Sequence, residues 1–227
     1  MNFLEYYLKE DSVLDNPSFK SWFGNSQLVN ADGTPKIMYH GSNSKFDTFN
    51  YEHLGNKGRS EGAGFYFTDD EDIAKGYGNI VYKAYLKIEK PLDTNYKNFS
   101  RAVIQKIIKK IVELEQQEGI DPQSGFLSNF GDIDYEGFNS VLNQAVNNHV
   151  DEENATDFQG SLIGAGVDPL IVNKSIYHVT GYDGILSHGF GGLKQRGGII
   201  YIPFFPNQIK SINNTKYTDS DNIYEGK

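Results

Sequence analysis

The chain has 227 residues, a net charge of −9, 14% aromatic residues and no cysteine. These figures exclude disulfides, thiolate chemistry and cysteine-based zinc sites, and the acidic balance argues against the broad phosphate-tracking surface of a nucleic-acid binder. The length suits one domain carrying an insertion, with a core built on Tyr and Phe. No apolar run approaches the roughly 20 residues that span a bilayer, and the first ten residues lack the charged start and apolar run of a signal peptide. The expectation is a protein free of the membrane, cytoplasmic or delivered into a target cell.

Residues 3–8 place Phe3, Leu4, Tyr7 and Leu8 on one helical face, so a short amphipathic helix opens the chain. Asn16-Pro17 offers a cap and a proline suited to a first helical turn, which residues 18–23 continue with Phe19, Trp22 and Phe23 as the apolar side. The turn Asn30-Ala31-Asp32-Gly33 leads into a strand over residues 36–42 that stops at a glycine with His40 at its tip. Residues 55–64, with Lys57, Arg59 and Glu61, read as a mobile loop. Residues 62–78 follow as a glycine-led loop, an aromatic strand of Phe65, Tyr66 and Phe67, and a helix capped by Thr68 or Asp69. Asp70, Glu71 and Asp72 fill the first turn of that helix, and Tyr77 lies 11 residues after Tyr66. A strand running into a short helix can fold back so that two such rings flank one flat ligand. Ordinary core aromatics are the competing reading, favoured on this stretch alone.

Residues 81–88 alternate as a half-buried strand that Pro91 ends. A helix over residues 100–118 carries the stripe Val103, Ile104, Ile107, Ile108, Ile111 and Leu114, and Gly119 stops it. Further helices are expected over 136–149 and 173–179, with polar loops between them up to Pro169. Residues 95–173 therefore read as a mostly helical insertion. A strand at 185–187, a glycine-rich loop at 189–198 and a strand at 199–205 follow. Pro203 and Pro206 suggest an edge position or a bulge for that last strand. The tail from Asn213 is polar and expected to fray.

Single residues carry little chemistry. The five histidines show no i, i+4 pairing and no acidic cluster, so no metal is expected. His40 could serve as general base or as a hydrogen-bonding positioner. No serine sits in a Gly-x-Ser-x-Gly elbow, and the glycines fit neither dinucleotide nor P-loop fingerprints. Lys57, Arg59 and Arg196 lie in glycine-rich loops where solvated charge is the default and a phosphate the alternative.

The order of the motifs says more. Tyr39-His40-Gly41-Ser42, then Gly62-x-Gly64-Phe65-Tyr66-Phe67-Thr68, then Ala74-x-x-Tyr77, resembles the ADP-ribosyltransferase family. The resemblance is to the subclass of poly(ADP-ribose) polymerases and diphtheria toxin, built on a His, a Tyr and a third residue, usually Glu, on three strands. Phe19-Lys20-x-Trp22-Phe23-Gly24, Gly181-Tyr182-Asp183-Gly184-Ile185 and Pro206-Asn207-Gln208-Ile209-Lys210-Ser211 resemble the modules found in phage and mobile-element polyproteins. Residues 18–90 and 180–212 are covered; the insertion is not.

The resemblance implies an α+β fold of two small, bent antiparallel sheets forming a cleft for NAD, the co-substrate. His40 would bond the 2′-hydroxyl of the adenosine ribose, and the Gly41 backbone would hold the nicotinamide carboxamide. Tyr66 and Tyr77 would sandwich the nicotinamide ring. Ser42, Gly64 and Thr68 complete the implied NAD-binding set. Ala74 stands where some relatives have a serine that bonds the carboxamide. The third catalytic position falls on Gln208, and residues 185–212 contain no Asp or Glu. Glutamine accepts a hydrogen bond but supplies neither charge nor a base, so single ADP-ribosyl transfer is expected rather than chain elongation. The expected acceptor is a protein target and the expected role a toxin or effector. A catalytically silent NAD-binding module and an NAD glycohydrolase are the alternatives.

Overall fold

The computed structural model describes residues 13–53, 62–94, 98–188 and 198–226. The helix expected at residues 3–8, the charged loop 55–61 with Lys57 and Arg59, and residues 189–197 with Arg196 lie outside the described residues.

Helix α1 (Pro17–Phe23) starts where the Asn16 side chain accepts from the Ser18 and Phe19 amides, with Pro17 in the first turn, where its missing N–H costs nothing. It buries Phe19, Trp22 and Phe23 against Tyr85 and Tyr217. The Trp22 indole N–H donates to Asn207 O at 3.0 Å. Strand β1 (Met38–Ser42) runs through Gly41, so His40 lies mid-strand rather than at a tip. Strand β2 is only Phe67–Thr68, and Tyr66 immediately precedes it. Helix α2 (Glu71–Lys75) is capped by Asp70, not by Thr68 or Asp69: its carboxylate accepts from the Asp72 and Ile73 amides. The Thr68 hydroxyl instead accepts from the Asp70 amide.

Strand β3 (Ile80–Leu86) is followed by β4 (Pro91–Asp93), so Pro91 opens a strand instead of merely ending one, a place where no ladder donor is required of it. Helices α3 (Arg101–Gln117), α4 (Ile133–Glu136), α5 (Phe138–His149), α6 (Ala155–Gly164) and α7 (Pro169–Thr180) come next. Where the sequence reading has only loops, α6 forms. Asn154 caps it by accepting from the Thr156 and Asp157 amides, and Ala155, Phe158, Gln159 and Leu162 are its buried side. Strands β5 (Gly184–Ser187), β6 (Ile200–Pro203) and β7 (Ile209–Ser211) complete the chain.

The strands form one seven-stranded sheet in the order β4-β5-β6-β2-β1-β3-β7. The two bent sheets of the sequence reading appear as two halves of it. β1 and β3 pair at five positions, from Met38↔Ala84 to Ser42↔Ile80, whereas β1 and β2 pair only at Tyr39↔Thr68. The arrangement is not wholly antiparallel, because β4 and β5 run parallel. β6 lies between β5 and β2, not at an edge; Pro203 is tolerated there as the last residue of its strand.

The helices and one sheet face share a core in which Ile104, Ile108, Val141, Phe158 and Ile176 meet Ile185, Ile202 and Phe204. The other face packs Met38, Phe49, Phe65, Phe67, Tyr82 and Tyr201. The tail does not fray. Tyr217 and Ile223 are buried, and the buried Lys210 ammonium donates to Ser220 O and Asn222 O at 2.6 and 2.8 Å. A lysine that loses its hydration must find oxygen partners, and tail carbonyls provide them.

Candidate active site

The site forms where β1 and β2 part. Beyond Tyr39↔Thr68 the ladder between them stops, and a side chain spans the gap: His40 Nδ1–H donates to the Tyr66 carbonyl at 2.8 Å. That bond fixes the tautomer, leaving Nε2 as an acceptor in the neutral ring. Phe49 and Phe67 lie edge-on and tilted to the imidazole, with centroids at 5.0 and 5.3 Å. Burial among these rings pushes the His40 pKa down from 6.5, and the Tyr66 carbonyl only partly opposes it. His40 is therefore neutral at pH 7.

Gly41 follows on the opposite face. A Cβ there would sit 1.9 Å from Ala74 O and 3.1 Å from Tyr77 Cβ. The close approach that demands glycine is thus that of helix α2, not in the first instance that of a ligand. Gly78 is pressed likewise onto the Ser42 main chain, 2.2 Å from its carbonyl carbon for an added Cβ. Together these contacts lay α2 on β1 and hold Tyr77 over the Gly41 face, where the residue is 63% exposed. The Ser42 hydroxyl accepts from the Ser44 amide.

Tyr66 alternates with Phe65 and Phe67, which face the second core, and so shares the face of Thr68 and its ladder partner Tyr39. The Tyr66 hydroxyl donates to Gly62 O at 2.7 Å, folding the ring back over its own loop. Gly64, with φ +155°, is packed against Ile202 and Pro203. Tyr66 and Tyr77 therefore occupy the same side of the sheet, one half-buried and one open to solvent.

Gln208 is not brought to this place. It ends a 3-10 turn at 206–208, and its main-chain O accepts from the Lys87 amide. His40 pairs with Tyr82 on β3, five residues from Lys87, which separates the two by roughly 16 Å along the strand. The carboxamide is also spent: Oε1 accepts from the Phe205 amide at 2.7 Å, and Nε2 donates to Lys87 O and Asp183 O at 2.6 and 2.9 Å. Gln208 is a clasp joining the ends of β3, β5 and β6, and its amide is engaged there rather than beside His40, where a catalytic role was expected of it. The strand that flanks β2 at the site is β6, and it sets Ile200 opposite Thr68.

Sequence reasoning missed two polar clusters. Asp183 accepts from the Glu89 and Lys90 amides, both at 2.8 Å, and burial raises its pKa despite those bonds. The Gly-Tyr-Asp-Gly turn was the visible signal. The second cluster joins Tyr51, Gln159 and Asn173 to the Gly62–Gly64 loop, and nothing in sequence spacing reports it. His188 donates through Nε2 to the Asp93 carboxylate at 3.1 Å. His149 is buried in the helical core with Nδ1 on the Ser161 hydroxyl at 2.9 Å. Among the described residues no group of three His, Asp or Glu could hold a metal, and no helix is long and apolar enough to cross a membrane.

A mixed α+β fold with a seven-stranded sheet and several helices is consistent with an ADP-ribosyltransferase domain. Residues 30–219 match the ART-PolyVal family, ADP-ribosyltransferases in polyvalent proteins, and the chain belongs to that family. The match runs through the helices α3 to α7 as well as the sheet. No curated protein and no solved structure matches the chain.

Proposed function

We propose that this domain cleaves NAD at the bond between nicotinamide and ribose and transfers one ADP-ribosyl group to a protein acceptor, as a toxin or effector of a phage or mobile element. The observation that carries the reading is the His40–Tyr66 bond across the parting strands. It ties a neutral imidazole, with Nε2 left as an acceptor, to the main chain of a tyrosine whose ring is tethered. His40 Nε2 would accept from a ribose hydroxyl, and the Gly41 main chain would hold the carboxamide. Tyr66 and Tyr77 would stack on the nicotinamide, each such contact adding about 0.5–1.5 kcal/mol beyond burial. Ser42, Gly64 and Thr68 would shape the floor.

In the reaction the C1′–N bond breaks and nicotinamide leaves neutral with the bonding pair, so positive charge passes to the ribose. The acceptor nucleophile then bonds C1′ and gives up its proton. Ile200 beside Thr68 and the spent amide of Gln208 put no carboxylate behind that charge. That supports a single transfer rather than elongation, which would need a base on each new hydroxyl.

The same two residues favour a second reading, a module that binds NAD or ADP-ribose without turning it over. Incubation of the purified domain with NAD and a host lysate separates the readings. Transfer releases nicotinamide and leaves an ADP-ribose mass on a protein; hydrolysis releases nicotinamide with no adduct; a binding module does neither but gives heat on titration with NAD. Tyr66→Ala should abolish nicotinamide release if the first reading holds.

A further inference from the structure

The helical insertion reaches the candidate site through two buried amides. Gln159 on α6 and Asn173 on α7 are 1% and 0% exposed, packed among the aliphatic and aromatic side chains of the helical core. Both are aimed at the main chain of Ala63, three residues before Tyr66. The Ala63 amide donates to Gln159 Oε1 at 2.7 Å, and Ala63 O accepts from Asn173 Nδ2 at 2.9 Å and from Gln159 Nε2 at 3.4 Å. Gln159 Nε2 also donates to Asn173 Oδ1, and the second Asn173 Nδ2 hydrogen goes to the Tyr51 hydroxyl at 2.5 Å. Tyr51 passes its own hydrogen to Phe204 O.

We propose that Gln159 and Asn173 are positioning residues for Tyr66: they grip the Ala63 peptide and so fix the Gly62 carbonyl to which the Tyr66 hydroxyl is tethered. The inference rests on the NAD reading above and deepens it, because it gives the insertion a part in building the nicotinamide platform. Apolar side chains of similar volume would fill the same space, but would leave the Ala63 N–H and C=O buried without partners. A pair of amides instead fixes the orientation of the two peptide groups that meet at Ala63, the first of which carries the Gly62 carbonyl.

The loop needs such a grip. Gly62 (φ +111°) and Gly64 (φ +155°) give it backbone freedom that other residues lack. An added Cβ on Gly62 would lie 2.6 Å from Gln159 Oε1, so the loop is pressed directly onto the clamp. Released from it, the Gly62 carbonyl is free to turn, the tether on the Tyr66 hydroxyl is lost, and the ring no longer waits in the orientation a flat ligand requires.

The test uses the whole domain and two readouts: steady-state NAD consumption, and hydrogen exchange of residues 62–67. Gln159→Met keeps the volume and removes the amide. Leu162→Ala, on the same helix and fully buried, costs stability without touching Ala63. Gln159→Met should raise KM for NAD about tenfold with kcat changed less than about twofold, and should speed exchange at 62–67 about tenfold, whereas Leu162→Ala should do neither after correction for global stability. Tyr51→Phe, which removes the bonds of its hydroxyl to Asn173 and Phe204 O but leaves those made directly to Ala63, should shift both readouts the same way by a smaller factor and serves if Gln159→Met does not fold. An unchanged KM in the clamp variants, or an equal rise in Leu162→Ala, overturns the proposal. If the wild type consumes no NAD, the exchange data decide. Selective loosening of 62–67 then upholds the clamp while the NAD reading falls, and unchanged exchange overturns the clamp itself.

Discussion

The imidazole of His40 hands its Nδ1 hydrogen to the main-chain carbonyl of Tyr66 at 2.8 Å, at the point where the strands bearing them stop pairing. One side-chain bond thus does what the ladder no longer does, and it leaves Nε2 as an acceptor. The gap that results is flanked by Gly41 on one strand and Tyr66 on the approach to the other, with α2 and Tyr77 laid over it.

The first consequence is a pH dependence. Burial holds the pKa values of His40 and His149 below 6.5 in the folded chain, so the unfolded chain takes up protons first as pH falls. Their contribution to stability is complete above pH 6.5 and is lost as pH drops through and below it. NAD consumption should be flat above pH 7 and fall on the acid side, where protonated His40 loses its acceptor. Melting temperatures recorded across pH 5–7 should fall less steeply for His149→Phe than for wild type. Parallel curves would refute the assignment for His149.

Gln208→Glu should not rescue or raise activity. The change turns a buried donor into an acceptor facing Lys87 O and Asp183 O, taking one donor from each and leaving Asp183 O with the Phe204 amide. A loss of about 2–4 kcal/mol in unfolding free energy is expected, read by denaturant titration. Increased nicotinamide release with unchanged stability would restore Gln208 to the catalytic set.

Gly41→Ala should lift α2 from β1, since the new methyl would meet the Ala74 carbonyl. Tyr77 moves with the helix. The expected outcome is a lowered melting temperature together with weaker NAD binding by calorimetry. Unaltered NAD affinity would separate the α2 packing from the site.

The carboxyl-terminal segment answers to one residue. Lys210→Met leaves the Ser220 and Asn222 carbonyls and the Glu225 carboxylate, 3.4 Å away, without their cation. Limited proteolysis should then cut within residues 213–226, which the wild type protects.

Much of the architecture was legible because local chemistry and tertiary packing agree. Asn16-Pro17 starts α1, and the isoleucine stripe from Ile104 to Ile111 is buried along one side of α3. The strand of His40 also falls where the sequence puts it, and Tyr66 leads directly into β2. Other features depended on partners distant in sequence. Helix α6 has glycines at 160 and 164 and a weak stripe, and it forms because Phe158 and Leu162 have a core to enter. Asp70 outcompeted Asp69 for the cap because Asp69 turns to Lys36 at 3.1 Å. Gln208 looked catalytic because motif order alone cannot say how far along β3 a neighbouring strand begins. The register supplies that distance, and the three saturated bonds of its amide supply its role.

The most direct test of the account is mass spectrometry of wild-type and Tyr66→Ala domain incubated with NAD and host lysate. The account requires free nicotinamide and an ADP-ribose adduct on a protein with the wild type, and neither with the variant. Intact NAD and no adduct with folded wild-type protein would contradict it.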